Sequence, residues 1–238
     1  MSKTAIILAG GEGTRLKPYT NILPKPLMPI FDKPILEIIL GQLSFYGFNK
    51  IHIMCNKKNN LIESYFGTGS KYNVDIIYHY EKQKLSTMSP LRNIENLPDD
   101  FIVMNGDILT DLNFNLFFLN HLKSKKIFSI SSKYISSNID YGVITINKNN
   151  NLIKFEEKPK TRSLVSMGIY CINIKSLKYI PKNSFFGFDN LMKLFLKKKI
   201  RPNINIFEGI WLDIGRESDL LLSNDVLFKN KEKLIKSN

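Results

Sequence analysis

The chain has 238 residues, 43% of them hydrophobic and 23% charged, with a net charge of +13. Those proportions allow one sizeable core and exclude a disordered or fibrous class. The basic balance brings nucleic acid, membrane surfaces and polyanionic substrates to mind, yet the lysines are scattered, clustering briefly at Lys123 to Lys126 and Lys197 to Arg201. Zinc-finger spacing, a basic helix with heptads and an aromatic ribonucleoprotein motif are all missing, which argues against a nucleic-acid partner.

The first element is the run Ile6-Ile7-Leu8-Ala9-Gly10-Gly11-Glu12-Gly13-Thr14-Arg15-Leu16. It reads as a strand covered on both faces that delivers a glycine loop. The glycines let the backbone approach a phosphate or a flat base, or simply make a strand-to-helix turn. Arg15, and Lys25 inside Leu23-Pro24-Lys25-Pro26, supply the charge a triphosphate needs. Lys25 read alone is a solvated side chain, but its flanking prolines stiffen the loop that aims it. The loop is not a P-loop, because Thr14-Arg15 follows Gly13, and it is not a dinucleotide fingerprint, because Leu16 stands where the third glycine belongs.

Next comes a helix from Ile35 to about Tyr46, with Pro34 as its first residue and Ile35, Ile39 and Leu43 on one face. A strand at Ile51 to Cys55, a helix near Leu61 to Phe66 and a strand at Val74 to Tyr80 follow. Phe101 to Met104 is a short buried strand with Asn105-Gly106-Asp107 at its C-terminal end, where ligands bind in open α/β sheets. Asp111 is expected to cap a helix. Further strands are expected at Ile127 to Ser132, Gly142 to Ile146, Leu152 to Glu156 and Met167 to Ile174, with Lys148 to Asn151 as a hairpin turn. The last predicted helix runs from about Asp189, its expected N-cap, to Lys198.

This alternation predicts an α/β fold, a Rossmann-like, mainly parallel mixed sheet flanked by helices. One domain over 1–238 is expected, with a nucleotide-binding half of about 1–125 and an acceptor half of about 126–238. Cys55 and Cys171, each in an apolar run, read as buried free thiols. His52, His79 and His121 lack metal-ligand spacing and read as structural. No apolar run is long enough to cross a membrane, and the first strand starts too early to leave room for a signal peptide. The expectation is a cytoplasmic protein with no membrane partner.

Gly10 to Pro18 followed by Leu23 to Leu27 resembles the signature of the sugar-1-phosphate nucleotidylyltransferases, with mannose-1-phosphate guanylyltransferase-like proteins as the nearest flavour. The resemblance continues through Asn105-Gly106-Asp107, Tyr141-Gly142-Val143, Glu156-Glu157-Lys158-Pro159 and Trp211-Leu212-Asp213-Ile214-Gly215. It implies attack by a sugar-1-phosphate oxygen on the α-phosphorus of a nucleoside triphosphate, with release of pyrophosphate. Leu8, Ala9, Gly10, Gly11, Gly13, Thr14, Arg15, Thr87 and Gly106 are then nucleotide contacts. Arg15, Lys25 and Asp107 carry catalysis, Asp107 and Asp213 hold Mg²⁺, and Tyr141, Gly142, Glu157 and Lys158 bind the sugar phosphate. Read without the resemblance, Asn-Gly-Asp is a common turn. No hexapeptide repeat follows the final helix, so the β-helix extension of some relatives is expected to be absent, and a homo-oligomer stays open.

The base-reading loop departs from the pattern. Related guanylyltransferases resemble Leu-Gly-Thr-Ala-Gly-Pro-Leu there, and this chain has Leu85-Ser86-Thr87-Met88-Ser89-Pro90-Leu91. Met88 either fills part of the base pocket or turns into the core. Guanosine with a mannose- or heptose-like sugar phosphate is the first expectation. The alternatives are cytidylyl, uridylyl or thymidylyl transfer on the same fold, a phosphate acceptor that is not a sugar, and a regulatory relative that binds without catalysis.

Overall fold

The computed structural model describes residues 3–56, 60–81 and 85–236. Strand β1 (Lys3–Leu8) leads through the loop to a small antiparallel pair, β2 (Pro29–Ile30) and β3 (Lys33–Pro34), and then to helix α1 (Ile35–Phe45). After it come β4 (Phe48–Asn56), α2 (Leu61–Phe66), β5 (Asp75–Glu81), β6 (Asp100–Asn105), β7 (Ile108–Thr110) and α3 (Phe114–Ser124). The second half contains β8 (Phe128–Asn138), β9 (Val143–Ile146), β10 (Leu152–Glu156), β11 (Lys160–Asn173) and α4 (Phe188–Lys197). It closes with β12 (Asn203–Ile206), β13 (Trp211–Asp213), α5 (Glu217–Lys229) and α6 (Lys231–Leu234).

Seven strands form the main sheet in the order β12-β8-β11-β6-β1-β4-β5. β1 pairs in parallel with β4 and β6, β4 with β5, and β12 with β8, whereas β11 is antiparallel to both its neighbours. β11 alone therefore runs against the rest, and the expected mixed, mainly parallel sheet is what forms. The chain moves outward from β1 through β4 to β5 and then returns to β6 on the other side of β1. That reversal is a topological switch point, and it lies where the β1 and β6 loops emerge.

Burial explains the apolar run of β1. Ala5 and Ile7 pack into one core with Leu36, Ile39 and Leu43 of α1, and Ile6 faces a second core with Met88, Phe101 and Phe128. A strand covered on both faces has no polar side to show in its sequence.

Several expected boundaries and caps move. Pro34 precedes α1 as its N-cap and belongs to β3, so it is not the first helical residue. Asp111 caps no helix. Asn113 accepts from Leu116 N at the start of α3, and Asp111 Oδ1 instead accepts from Ile210 N at 2.6 Å, tying the loop before α3 to the loop before β13. Asp189 lies inside α4, whose N-cap is Gly187, and Gly187 N donates to Asn190 Oδ1 at 2.9 Å. β11 starts at Lys160, well before Met167, because the polar stretch 160–166 pairs residue for residue with β8. The expected turn forms between β9 and β10, where Asn147 Oδ1 accepts from the amides of Asn149 and Asn151.

Cys55 and Cys171 are both free and buried. His121 is buried between Ser129 and Asp100. His52 Nδ1 lies 2.8 Å from His79 Nε2, across β4 and β5, with the rings stacked. Burial first, then the His79 and Lys50 charges, pushes His52 down to about 4, against a small opposing pull from Asp75. Burial lowers His79 as well. The unfolded chain thus binds protons here before the folded one does. This contribution to stability is complete above the unfolded histidine pKa of about 6.5 and is lost as pH falls toward 4. A His52→Gln variant is expected to lose less Tm than the parent between pH 7 and pH 4.5 by thermal circular dichroism, and an equal loss in both would contradict this account.

Candidate active site

The loops from β1 and β6 meet at the switch point. Gly106 N donates to Leu8 O at 3.0 Å, and Ala9 N donates to Met54 O at 2.9 Å, so three strand ends fix the start of the glycine loop. A side chain at Gly106 would sit 3.2 Å from Ile7 Cγ2 and from Leu8 O, which is why this crossing takes glycine. Gly13 has φ of 60°, and a Cβ there would approach Thr20 Cγ2 to 2.7 Å. Thr20 Oγ1 donates to Gly13 O and holds the loop in that shape. Thr14 and Arg15 then form a short 3-10 turn with Leu16.

Four charged side chains from separate segments converge beside this loop. Lys25 Nζ forms an ion pair with Asp107 Oδ2. The β13 strand pairs antiparallel with β7, and Ile214 N donates to Asp107 O at 3.0 Å, which brings Asp213 alongside. Burial raises the Asp213 pKa, the Asp107 charge raises it further, and Lys25 and Arg15 pull it back. The Arg15 guanidinium lies over Gly215, its Nη2 3.1 Å from where a Cβ would stand. Asp219 Oδ2 accepts from Gly215 N and Arg216 N, fixing this turn at the start of α5.

Asp107 Oδ1 is buried and has no hydrogen-bond partner. An unsatisfied carboxylate oxygen next to a second carboxylate of raised pKa fits a hard divalent cation. No cluster of three or more His, Cys, Asp or Glu suited to a metal occurs among the described residues. Mg²⁺ needs fewer protein ligands than that, since phosphate oxygens and water complete its octahedron.

A cleft of about 330 Å³ opens next to Asp107, lined by Leu8, Gly10, Gly11, Glu81, Ser86, Thr87, Asn105 and Phe185. Gly11 faces open space, and a Cβ on Gly10 would sit 3.4 Å from Glu81 Oε1. Burial raises the Glu81 pKa, partly offset by a hydrogen bond with the Leu85 backbone. Thr87 Oγ1 accepts from Phe188 N at 3.1 Å, and the backbone amides of Met88 and Ser89 donate to Phe186 O, so the loop 85–91 is laced to the start of α4. Met88 is fully buried in the second core, which decides between its two expected positions. Ser86 has φ of 65°, the left-handed conformation that the glycine of the resembling pattern would adopt freely.

Glu81, Asn105 and Phe185 were not among the expected site residues. Glu81 ends a parallel strand and Asn105 adjoins Gly106, so strand-end position was the available signal. Phe185 carried none. The acceptor-half residues stand elsewhere. Tyr141 is 78% exposed, Gly142 lies under the Phe155 ring with Glu157 Oε2 close by, and Lys158 has φ of 44°. None of these four lines the cleft among the described residues.

The cleft stands at a switch point, which is where open α/β sheets hold their ligands, with Asp107 in its wall and Lys25 and Asp213 adjoining Asp107. The sequence pattern of the nucleotidyl transferase family matches residues 4–229, and the chain belongs to that family. It is 32% identical to a UTP–glucose-1-phosphate uridylyltransferase of Synechocystis sp., over 90% of this chain and 61% of the relative. It is 30% identical to a D-glycero-alpha-D-manno-heptose 1-phosphate guanylyltransferase of Campylobacter jejuni, over 90% of this chain and 96% of that one. The chain spans less than two thirds of the first relative and nearly all of the second. Among solved structures, HddC from Yersinia pseudotuberculosis in complex with GMP-PN superposes with a TM-score of 0.71 at 24% identity, covering 94% of this chain and 99% of that one, which shows the shared fold.

Gly13→Ala should lower stability by about 1–3 kcal/mol in urea denaturation, since it combines a left-handed backbone with the Thr20 clash. Gly11→Ala, facing open space, should stay within about 1 kcal/mol of the parent. Equal losses at the two positions would refute the distinction.

Proposed function

We propose that this chain transfers a nucleotidyl group from a nucleoside triphosphate to a sugar 1-phosphate, releasing pyrophosphate, for nucleotide-sugar and glycan synthesis. The observation that carries the reading is the convergence of Arg15, Lys25 and Asp213 around Asp107, which itself lines the cleft. The acceptor phosphate oxygen bonds to the α-phosphorus as the bond to the β-phosphate oxygen breaks. Two polyanions must meet, so the protein's task is to offset repulsion and hold the groups in line. Arg15 grips the pyrophosphate portion with its planar fork, and Lys25, held ready by Asp107, serves the α-phosphate and the incoming sugar phosphate. Asp107 and Asp213 would hold Mg²⁺, which when bound supplies positive charge to the phosphate oxygens. Leu8, Ala9, Gly10, Gly11, Gly13, Thr14 and Gly106 form the nucleotide cradle, and Tyr141, Gly142, Glu157 and Lys158 serve the sugar phosphate. The division near residue 125 separates these two tasks.

Guanosine is the preferred base. Glu81, beside Gly10 in the cleft, offers a carboxylate to an edge with two adjacent N–H donors, an arrangement that guanine has and uracil and thymine lack. The nearly full-length heptose-1-phosphate guanylyltransferase relative favours the same base and a heptose- or mannose-like acceptor. Uridylyl transfer is the second reading, favoured by the Synechocystis relative.

The test is pyrophosphate release with the four ribonucleoside triphosphates and dTTP against a panel of sugar 1-phosphates in Mg²⁺. GTP with a heptose or mannose 1-phosphate is expected to turn over, and Asp107→Asn to reduce kcat at least about a hundredfold with an unchanged fold. Glu81→Gln should erode the preference for GTP over UTP while leaving the Mg²⁺ requirement intact. Nucleotide binding without turnover across the whole panel would sink the catalytic reading, and turnover with UTP alone would move the base to the second one.

A further inference from the structure

The two short lysine clusters, far apart in the sequence, meet in the fold. Lys123, Lys125 and Lys126 stand at the end of α3 and lead into β8. Lys197 to Lys199 end α4, and Arg201 follows before β12. Because β12 pairs in parallel with β8, Asn203 opposite Ser129, both clusters reach the same edge of the sheet. Lys175, just beyond β11, joins them there. Asn173 N donates to Ile127 O, and Lys125, Lys126 and Lys175 line one hollow of about 140 Å³. Among the described residues none of these eight side chains enters an ion pair. The adjoining Asp100 carboxylate is held within the chain by His121 Nε2 and Asn173 Nδ2, and Asp99 adds one opposing charge. Lys125 and Lys199 have φ of 53° and 57°, the left-handed conformation for which a helix end favours glycine, so charge is kept there against the backbone preference. Leucines stand among the lysines. Leu122 lines the same hollow and is 43% exposed, and Leu196, next to Lys197, is 63% exposed.

We propose that this pole docks the protein on an anionic lipid bilayer, its cations on the headgroup phosphates and Leu122 and Leu196 in the interfacial layer. Charge complementarity and the leucines select this occupant. A bilayer surface takes clustered lysines with apolar anchors between them, whereas single-stranded nucleic acid is held by aromatic faces on which bases stack. Docking requires no span, and no helix among the described residues is long and apolar enough to make one. β8 runs the same way as β6 and β1, since β11 is antiparallel to both β6 and β8. The cleft, at the C-terminal ends of β1 and β6, therefore lies at the opposite edge of the sheet from the starts of β8 and β12. A docked chain keeps its cleft turned to solvent. The inference does not depend on the nucleotidyl-transfer reading.

The intact chain should co-sediment at physiological salt with vesicles of mixed phosphatidylglycerol and phosphatidylcholine. It should stay in the supernatant with phosphatidylcholine alone, and at about 1 M salt, where the Debye length falls to roughly 3 Å. Each lysine near an anionic surface contributes about fivefold in partitioning, so Lys126→Glu combined with Lys198→Glu should weaken vesicle binding at least about twentyfold. Lys148→Glu combined with Lys229→Glu lowers the net charge equally from exposed positions in the β9–β10 turn and on α5, and should cost less than about fivefold. Leu122→Ser combined with Leu196→Ser, with the net charge unchanged, should weaken binding at least about threefold. All three double variants should keep the thermal transition of the parent by circular dichroism. A parent that stays in the supernatant, equal losses from the two lysine pairs, no loss from the leucine pair, or tighter binding to polyuridylate than to the vesicles would each overturn the proposal.

Discussion

The short antiparallel pairing of β13 with β7 is the contact on which the site depends. It joins the tail of the chain to the strand that follows Asn105-Gly106-Asp107, and the Ile214 amide closes it on the Asp107 carbonyl. Two carboxylates far apart in sequence are thereby forced together in a half-buried place, which the raised Asp213 pKa registers. Lys25 and Arg15 make the arrangement tolerable, one through an ion pair and the other across Gly215. The like-charge strain is local, and it stands where a cation or a phosphate-bound ion relieves it.

The sheet was legible where burial wrote it into the sequence. β1 and β6 are short apolar runs because each faces two cores, and their C-terminal loops followed from the rule of ligands at strand ends. The first half of β11 was not legible, since Lys160 to Ser166 gains its strand conformation from pairing with β8 and has little of its own. Asp111 and Asp189 resembled caps locally. Asp111 is taken by the Ile210 amide instead, and Asp189 is displaced by the Gly187–Asn190 contact, neither of which a local window contains.

The site divides in the same way. Arg15, Lys25 and the glycines announced themselves by type and spacing, but the meeting of Asp107 with Asp213 rested on resemblance until the β7–β13 register supplied a cause. Glu81 and Phe185 come to line one cleft only once β5 ends there and the segment before α4 folds over the loop 85–91. At Ser86 the backbone keeps a glycine-like conformation under a different side chain. The shape of that loop is set by the hydrogen bonds to Phe186 and by the buried Met88, more than by the residue at the turn itself.

The lone reversed strand also links the exposed arm to the wall of the cleft. β11 runs from the exposed arm into the middle of the sheet, and its one irregularity against β8 falls between Ser166 and Tyr170. Gly168 lies inside that interval and abuts Asn105, where a Cβ would come within 2.6 Å of the amide nitrogen. Any side chain at position 168 would therefore press on Asn105, which lines the cleft, so the bare backbone at this crossing is what lets the reversed strand pass against the cleft wall.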